Sequence, residues 1–366
     1  MDKLLSLWVV LALAGCDQPG GRAGGIPSDA TVSTEPGPDV TASSDTTTTP
    51  DATTVAQDSS VAQDTSVAPD SGGPPPVVDP SCTDGQFDEA LPADSADIAA
   101  PIAAFSSATY KEFVLAVLAV RYPFGQELVQ AGVTGGPSVG QGNCIDTFTS
   151  NRNTAKAVIS NLSTVVHECG HIADIAAGGF SNAAYLVNAD VTFKCPSASA
   201  PGKTFARSLL NDDDYASLNP NDFYRDVYLD GDPSDGTFDS GDQGYDMVLE
   251  EATQYVNSLA TDWAFRDQYP RGQSITARDG ILTFLWYVER YLHLARLEHP
   301  QAYTVISGNK CWRDATLTMW GRAWLYLDLS DGESALGIDD AFLEDLVMDP
   351  DLLGEIDRIR SAAGCP

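Results

Sequence analysis

Basic residues are scarce in this chain. Its 366 residues hold 20 Lys and Arg against 52 Asp and Glu, a formal net charge of −32. So acidic a chain repels phosphate backbones, which excludes a nucleic-acid partner. An anionic membrane surface repels it for the same reason. No glycine-rich nucleotide loop and no Cys-x-x-Cys pair occurs, so neither phosphate cradling nor dithiol redox chemistry has its usual signature. Wholesale disorder is also excluded, because 43% of the residues are hydrophobic and can build a sizeable core. Histidine is rarest of all, with four in the whole chain, and two of them fall within five residues of each other.

The first residues read as a targeting segment. Lys3 gives a positive start, and residues 4–13 form an apolar run typical of a signal sequence and too short to span a bilayer. The run ends Leu13-Ala14-Gly15-Cys16, which resembles the bacterial lipobox. That resemblance implies cleavage before Cys16, lipid on its thiol and amine, and a membrane anchor in the bacterial cell envelope, at the inner or the outer membrane. The alternative is an ordinary secretory signal with a chance cysteine. Residues 16–81 then read as an acidic tether rich in Thr, Ser, Pro and Asp. Between 17 and 80 there is no aromatic residue, and Arg22 is the sole basic one. A six-residue repeat runs Val55-Ala-Gln-Asp-Ser-Ser, Val61-Ala-Gln-Asp-Thr-Ser, Val67-Ala-Pro-Asp-Ser. So polar a period buries no core and reads as a disordered, solvated linker.

Residues 82–366 are expected to fold as one domain or two close lobes. Six cysteines remain beyond Cys16, an even number that suits an oxidising compartment. Helical periodicity predicts helices over 108–121, 153–177, 246–262, 277–298, 311–327 and 338–362, the last broken near Pro350. Alternation over 185–194 predicts a strand. The expected class is α+β, dominated by helices.

One motif carries chemistry. His167-Glu168-Cys169-Gly170-His171 spells HExxH inside the expected 153–177 helix. With four histidines and twelve glutamates, chance produces it in about one chain in a thousand. Histidines four apart lie on one helix face one turn apart, the separation at which two imidazoles grip one zinc ion. Glu168 beside them can take a proton from a zinc-bound water. At about 100° per residue the histidines centre a polar stripe, while Leu162, Val165, Cys169, Ile172, Ala173 and Ala176 form an apolar face. Cys169 therefore reads as a small buried residue that stays free. Asp174, one turn after His171, reads equally as a hydrogen-bond partner of an imidazole or as a solvated carboxylate.

A catalytic zinc needs a third protein ligand. Position 177, ten after the first motif histidine, is alanine, and His293 and His299 lie far along the chain. The expected helix at 246–262 offers Glu250 and Glu251. Glu251 lies nearer that helix's apolar side, so it is the first choice and Glu250 the second.

HECGH followed by a glutamate-bearing helix resembles the gluzincin zinc metallopeptidases, and Glu-Glu-Ala-Thr-Gln-Tyr resembles the glutamate helix of secreted bacterial HExxH proteins. The likeness covers residues 150–262; the Asn-Glu pair of thermolysin-type helices is absent. It implies a zincin-like fold, zinc on His167, His171 and Glu251, and Glu168 as general base in peptide-bond hydrolysis. Tyr255 or Tyr245 would stabilise the oxyanion or serve as packing. The competing expectations are a non-catalytic envelope lipoprotein on the same scaffold and a cell-wall peptide amidase. The partners expected are a peptide or protein substrate and, through Cys16, a membrane. Residues 230–242 are dense in Asp and begin like a calcium loop with Asp230, Asp232 and Ser234, but Asp235 and Gly241 stand where such loops need Gly and Glu. Ca2+ or plain solvation are the two readings there.

Overall fold

The computed structural model describes residues 87–179, 182–196, 210, 215, 217–220, 222–229, 243–269 and 275–365. Cys16, the repeats and the acidic loop 230–242 lie outside the described residues, so the anchor, tether and Ca2+ expectations are not met or refused there. The described part is helix-dominated with one small sheet, as the α+β expectation has it.

The first helices are α1 (Ala99–Ala103), α2 (Tyr110–Arg121) and α3 (Pro123–Gly135). Pro123 ends α2 as expected, yet it also opens α3, because the first turn of a helix needs no N–H from proline. The short α4 (Cys144–Phe148) is capped by Asn143, whose side-chain oxygen accepts from the Ile145 and Asp146 amides.

The single helix expected over 153–177 is two, α5 (Ala155–Ile159) and α6 (Leu162–Gly178). Ser160 Oγ donates to the Lys156 carbonyl at 3.0 Å, and Asn161 Oδ1 accepts from Ser150 and Asn151. Polar side chains that bond locally compete with the helix ladder, and the break falls on this pair.

The single strand expected over 185–194 is a hairpin, β1 (Asn182–Leu186) paired antiparallel with β2 (Thr192–Pro196). Asn188 turns the chain: its Oδ1 accepts from the amides of Asp190 and Val191, both at 2.9 Å.

Six more long or moderate helices follow the short α7 (Phe223–Tyr228): α8 (Tyr245–Phe265), α9 (Ala277–Glu298), α10 (Pro300–Gly308), α11 (Lys310–Leu329), α12 (Asp340–Val347) and α13 (Pro350–Ala363). The expected break at Pro350 is real; Asp349 caps the new helix there. No helix among the described residues is long and apolar enough to cross a membrane.

Helix α6 is the centre of the fold, pressed between α3 and α8. Both contacts depend on glycine. A Cβ on Gly132 of α3 would overlap the Cys169 carbonyl, and one on Gly170 would overlap the Gln254 side-chain oxygen of α8. Backbones approach so closely only where no side chain intervenes. The apolar face of α6 packs as expected, with Leu162, Val165 and Cys169 fully buried. Cys169 is not free, however: it bonds Cys144, with Cα atoms 5.5 Å apart, and ties α4 to α6. A buried position does not spare a cysteine from pairing when a second one faces it across the core. Cys195 and Cys311 join β2 to α11, and Cys365 is disulfide-bonded as well.

Candidate metal centre

The polar stripe of α6 faces α8, and there the expected ligands meet. His167, His171 and Glu251 are buried, and one ligand atom from each lies within 4.8 Å of the others. His167 Nε2 and His171 Nε2 each sit 3.5 Å from Glu251 Oε2. The two rings meet edge to face, with centroids 4.7 Å apart.

The opposite ring nitrogens are already engaged. His167 Nδ1 is hydrogen-bonded to Ser258 Oγ at 2.9 Å, and His171 Nδ1 to Glu250 Oε2 at 2.5 Å. With Nδ1 engaged in this way, each imidazole directs its Nε2 inward. Neither Nε2 has an aligned hydrogen-bond partner among the described residues, although both are buried. Buried polar atoms are rarely left so, and two of them converging on one carboxylate oxygen fit a cation. Two imidazole nitrogens and one carboxylate oxygen are a donor set that suits zinc.

Helix geometry accounts for the arrangement. Glu251 and Ser258 are seven residues apart on α8, two turns along one face, and His167 faces both, hydrogen-bonded to Ser258 through Nδ1 and 3.5 Å from Glu251 through Nε2. Glu250, one residue before Glu251, points to the outer side of His171. Of the two candidates, Glu251 therefore joins the two Nε2 atoms in the group that could hold a metal ion, and Glu250 holds the His171 ring from behind.

Electrostatics separate the two histidines. Burial lowers the pKa of His167, and that outweighs the raising effect of Glu251. Burial also works to lower His171, but Glu250 and Glu251 together raise it well above the ordinary imidazole value. Burial would raise Glu251, yet His171 and His167 hold its carboxyl down to about 2. The two imidazoles thus hold the Glu251 carboxyl toward its charged form.

The other expected site residues fall as follows. Glu168 is wholly buried on α6 beside His167. Asp174 takes neither role considered for it: it is buried, and accepts from the Leu186 amide and from Gln254 Nε2, both at 2.8 Å. Burial and then Glu250 raise its pKa well above the usual carboxylate range. It fastens the β1 hairpin and α8 to α6. Tyr255 packs its ring edge-on against His167 at 4.8 Å and stacks on Phe284 at 4.9 Å. Tyr245 lies elsewhere, its hydroxyl paired with Thr316 at 2.7 Å.

Sequence reasoning missed Ser258, Gln254 and Tyr228. The Tyr228 hydroxyl donates to Glu251 Oε2 at 3.4 Å, and its ring is buried on α7. Ser258 was findable from its seven-residue spacing to Glu251; Tyr228 carries no such signal. Residues 136–140 also spell Gly-x-Ser-x-Gly, a nucleophile-elbow pattern. They form a 3₁₀ turn after a helix, with Ser138 Oγ donating to the Gly135 carbonyl, and not the strand-to-helix turn an elbow requires.

No protein-family model, no curated protein and no solved structure matches this chain, so the site stands on its own geometry.

Proposed function

We propose that this chain is a zinc-dependent peptidase, exported and held at the bacterial cell envelope through lipid on Cys16. One observation carries the catalytic part. Two buried imidazoles of a HExxH helix turn unbonded Nε2 atoms toward one buried glutamate oxygen on a neighbouring helix. His167, His171 and Glu251 would hold the ion. Bound zinc supplies Lewis-acid polarisation of a carbonyl and acidifies water at its open position.

The remaining chemistry belongs to side chains. Glu168 accepts the proton of the attacking water and returns it to the leaving amine. Its burial strengthens its electrostatic effect on charge that develops nearby. Two tyrosines are candidates to steady the oxyanion, Tyr255 and Tyr228. The hydroxyl of Tyr228 lies on the ligand oxygen, whereas Tyr255 meets His167 through its ring, and this favours Tyr228. Ser258 and Glu250 orient the two imidazoles. The disulfides support an oxidising compartment, in keeping with the signal segment.

The test is hydrolysis of a mixed peptide library by the full chain with zinc, read by mass spectrometry. Cleavage that stops with a zinc chelator and in Glu168→Gln is expected. A zinc-loaded chain that cleaves no member of the library, or a Glu168→Gln variant as active as the parent, would contradict the peptidase reading.

A further inference from the structure

Beyond the ligands, the interior of this chain contains an unbroken line of hydrogen bonds that ends at His171. It starts at Glu89, near the first described residue. Glu89 accepts from Arg322 Nε with both oxygens at 3.0 Å. Arg322 Nη1 donates to Asn257 Oδ1 at 2.8 Å. Asn257 Nδ2 donates to Gln254 Oε1 at 3.0 Å. Gln254 Nε2 donates to Glu250 Oε1 at 3.2 Å and to Asp174 Oδ2 at 2.8 Å. Glu250 Oε2 accepts from His171 Nδ1.

The direction of this line is not free. Arginine has donors and no acceptor, so the group of Asn257 that faces it must be the carbonyl. The Tyr122 hydroxyl donates to the same oxygen at 3.3 Å. That leaves the Asn257 amide nitrogen facing Gln254, whose oxygen must then turn toward it. The Gln254 nitrogen is left to serve Glu250 and Asp174 with its two protons. A reversed Gln254 would press its oxygen against the Glu250 carboxylate and its N–H against that of Asn257, and a reversed Asn257 would press N–H against the Arg322 N–H. In a buried site such mismatches are expensive, so each group holds the next in one orientation.

We propose that Arg322 is a positioning residue for the metal centre. Held by Glu89, its guanidinium orients Asn257 and Gln254, which pin the Glu250 carboxylate that keeps His171 Nε2 turned inward. The proposal rests on the metal reading of His167, His171 and Glu251, and adds what fixes one of its ligands. It also joins the segment at residue 89 to Arg322 of α11, 233 residues along the chain, and through α8 to the site.

Asn257→Asp tests it in the full chain. The substitution keeps size and still accepts from Arg322, but presents no donor to Gln254. Arg322→Lys is the second variant, since lysine keeps the charge and loses the fork that spans Glu89 and Asn257. Thr316→Val is the control: it removes an equally buried hydroxyl contact between α11 and α8 that is outside the line. Two quantities are read, zinc affinity by chelator competition and the exchange rate of the His171 Nδ1 proton by NMR. Both line variants should bind zinc roughly 10- to 100-fold more weakly and exchange that proton faster. Thr316→Val should lose stability alone. Wild-type zinc affinity and a protected Nδ1 proton in Asn257→Asp would overturn the proposal, as would an equal loss of zinc in Thr316→Val. A parent chain that binds no zinc would overturn the metal reading instead, and the Nδ1 proton would still show whether the line reaches His171.

Discussion

Between α6 and α8, two imidazoles turn their Nε2 atoms toward one carboxylate oxygen of Glu251. Between α9 and α13, His293 and Arg296 share the carboxylate of Glu355. Both places gather histidine and glutamate, and both glutamates are buried. The difference lies in what neutralises the carboxylate. Arg296 grips Glu355 with Nε at 2.9 and 3.0 Å and Nη2 at 2.7 Å, a cation built into the chain. Around Glu251 no Lys or Arg pairs with the oxygen among the described residues, and its neighbours are imidazoles and a tyrosine hydroxyl. A carboxylate with its own arginine closes a structural joint. One that faces two imidazole Nε2 atoms is a group that could hold a metal ion.

This contrast can be broken in several ways, and the largest expected effect is on turnover. On the proposed peptidase function, Glu168→Gln should cut peptide hydrolysis by roughly 10²–10⁴-fold with zinc content unchanged, because it would remove the general base alone. Glu355→Gln should leave kcat untouched. Next comes stability. Arg296→Gln strands the buried Glu355 carboxylate and should cost about 3 kcal/mol in urea unfolding, with zinc affinity preserved. If Arg296→Gln instead released zinc, the two regions would not be separable.

Glu289, one turn before His293, sharpens the contrast through pH. Burial, then the Asp349 charge, pushes its pKa up to about 9, and neither oxygen has a hydrogen-bond partner among the described residues. The folded chain keeps this proton while the unfolded chain loses it above the ordinary value of 4.5. Stability is therefore fully present below about pH 4.5 and is lost as pH rises toward 9. Glu289→Gln removes that loss and should gain up to about 3 kcal/mol over the parent at pH 7, and almost nothing at pH 4.5. Urea titrations at the two pH values check it; a gain independent of pH would contradict the assignment. The smallest effect expected is from Ser258→Ala, which frees the His167 ring and should weaken zinc roughly tenfold in chelator competition.

Much of the site was legible in the sequence because helices have fixed periodicity. Spacing four placed His167 and His171 on one face, and the apolar side of the 246–262 segment ranked Glu251 ahead of Glu250. Long-range pairing was not legible. Nothing in the local sequence around Cys169 shows that Cys144 faces it, or that Asp174 meets Gln254 and the β1 backbone. Alternation ran through Asn188 without marking a turn, so a hairpin read as one strand. Ser160 and Asn161 interrupt a helix whose apolar periodicity continues across them, and periodicity sees only the side that packs. The line from Glu89 to His171 draws on four distant segments and leaves no pattern in any one of them.

The most direct measurement is the metal content of the purified full chain and of Glu251→Ala, by elemental analysis after zinc reconstitution at neutral pH. One zinc per chain in the parent, absent or weakly held in the variant, is the expected result. A parent chain without zinc, or a variant that keeps it as tightly, would contradict a metal centre of His167, His171 and Glu251.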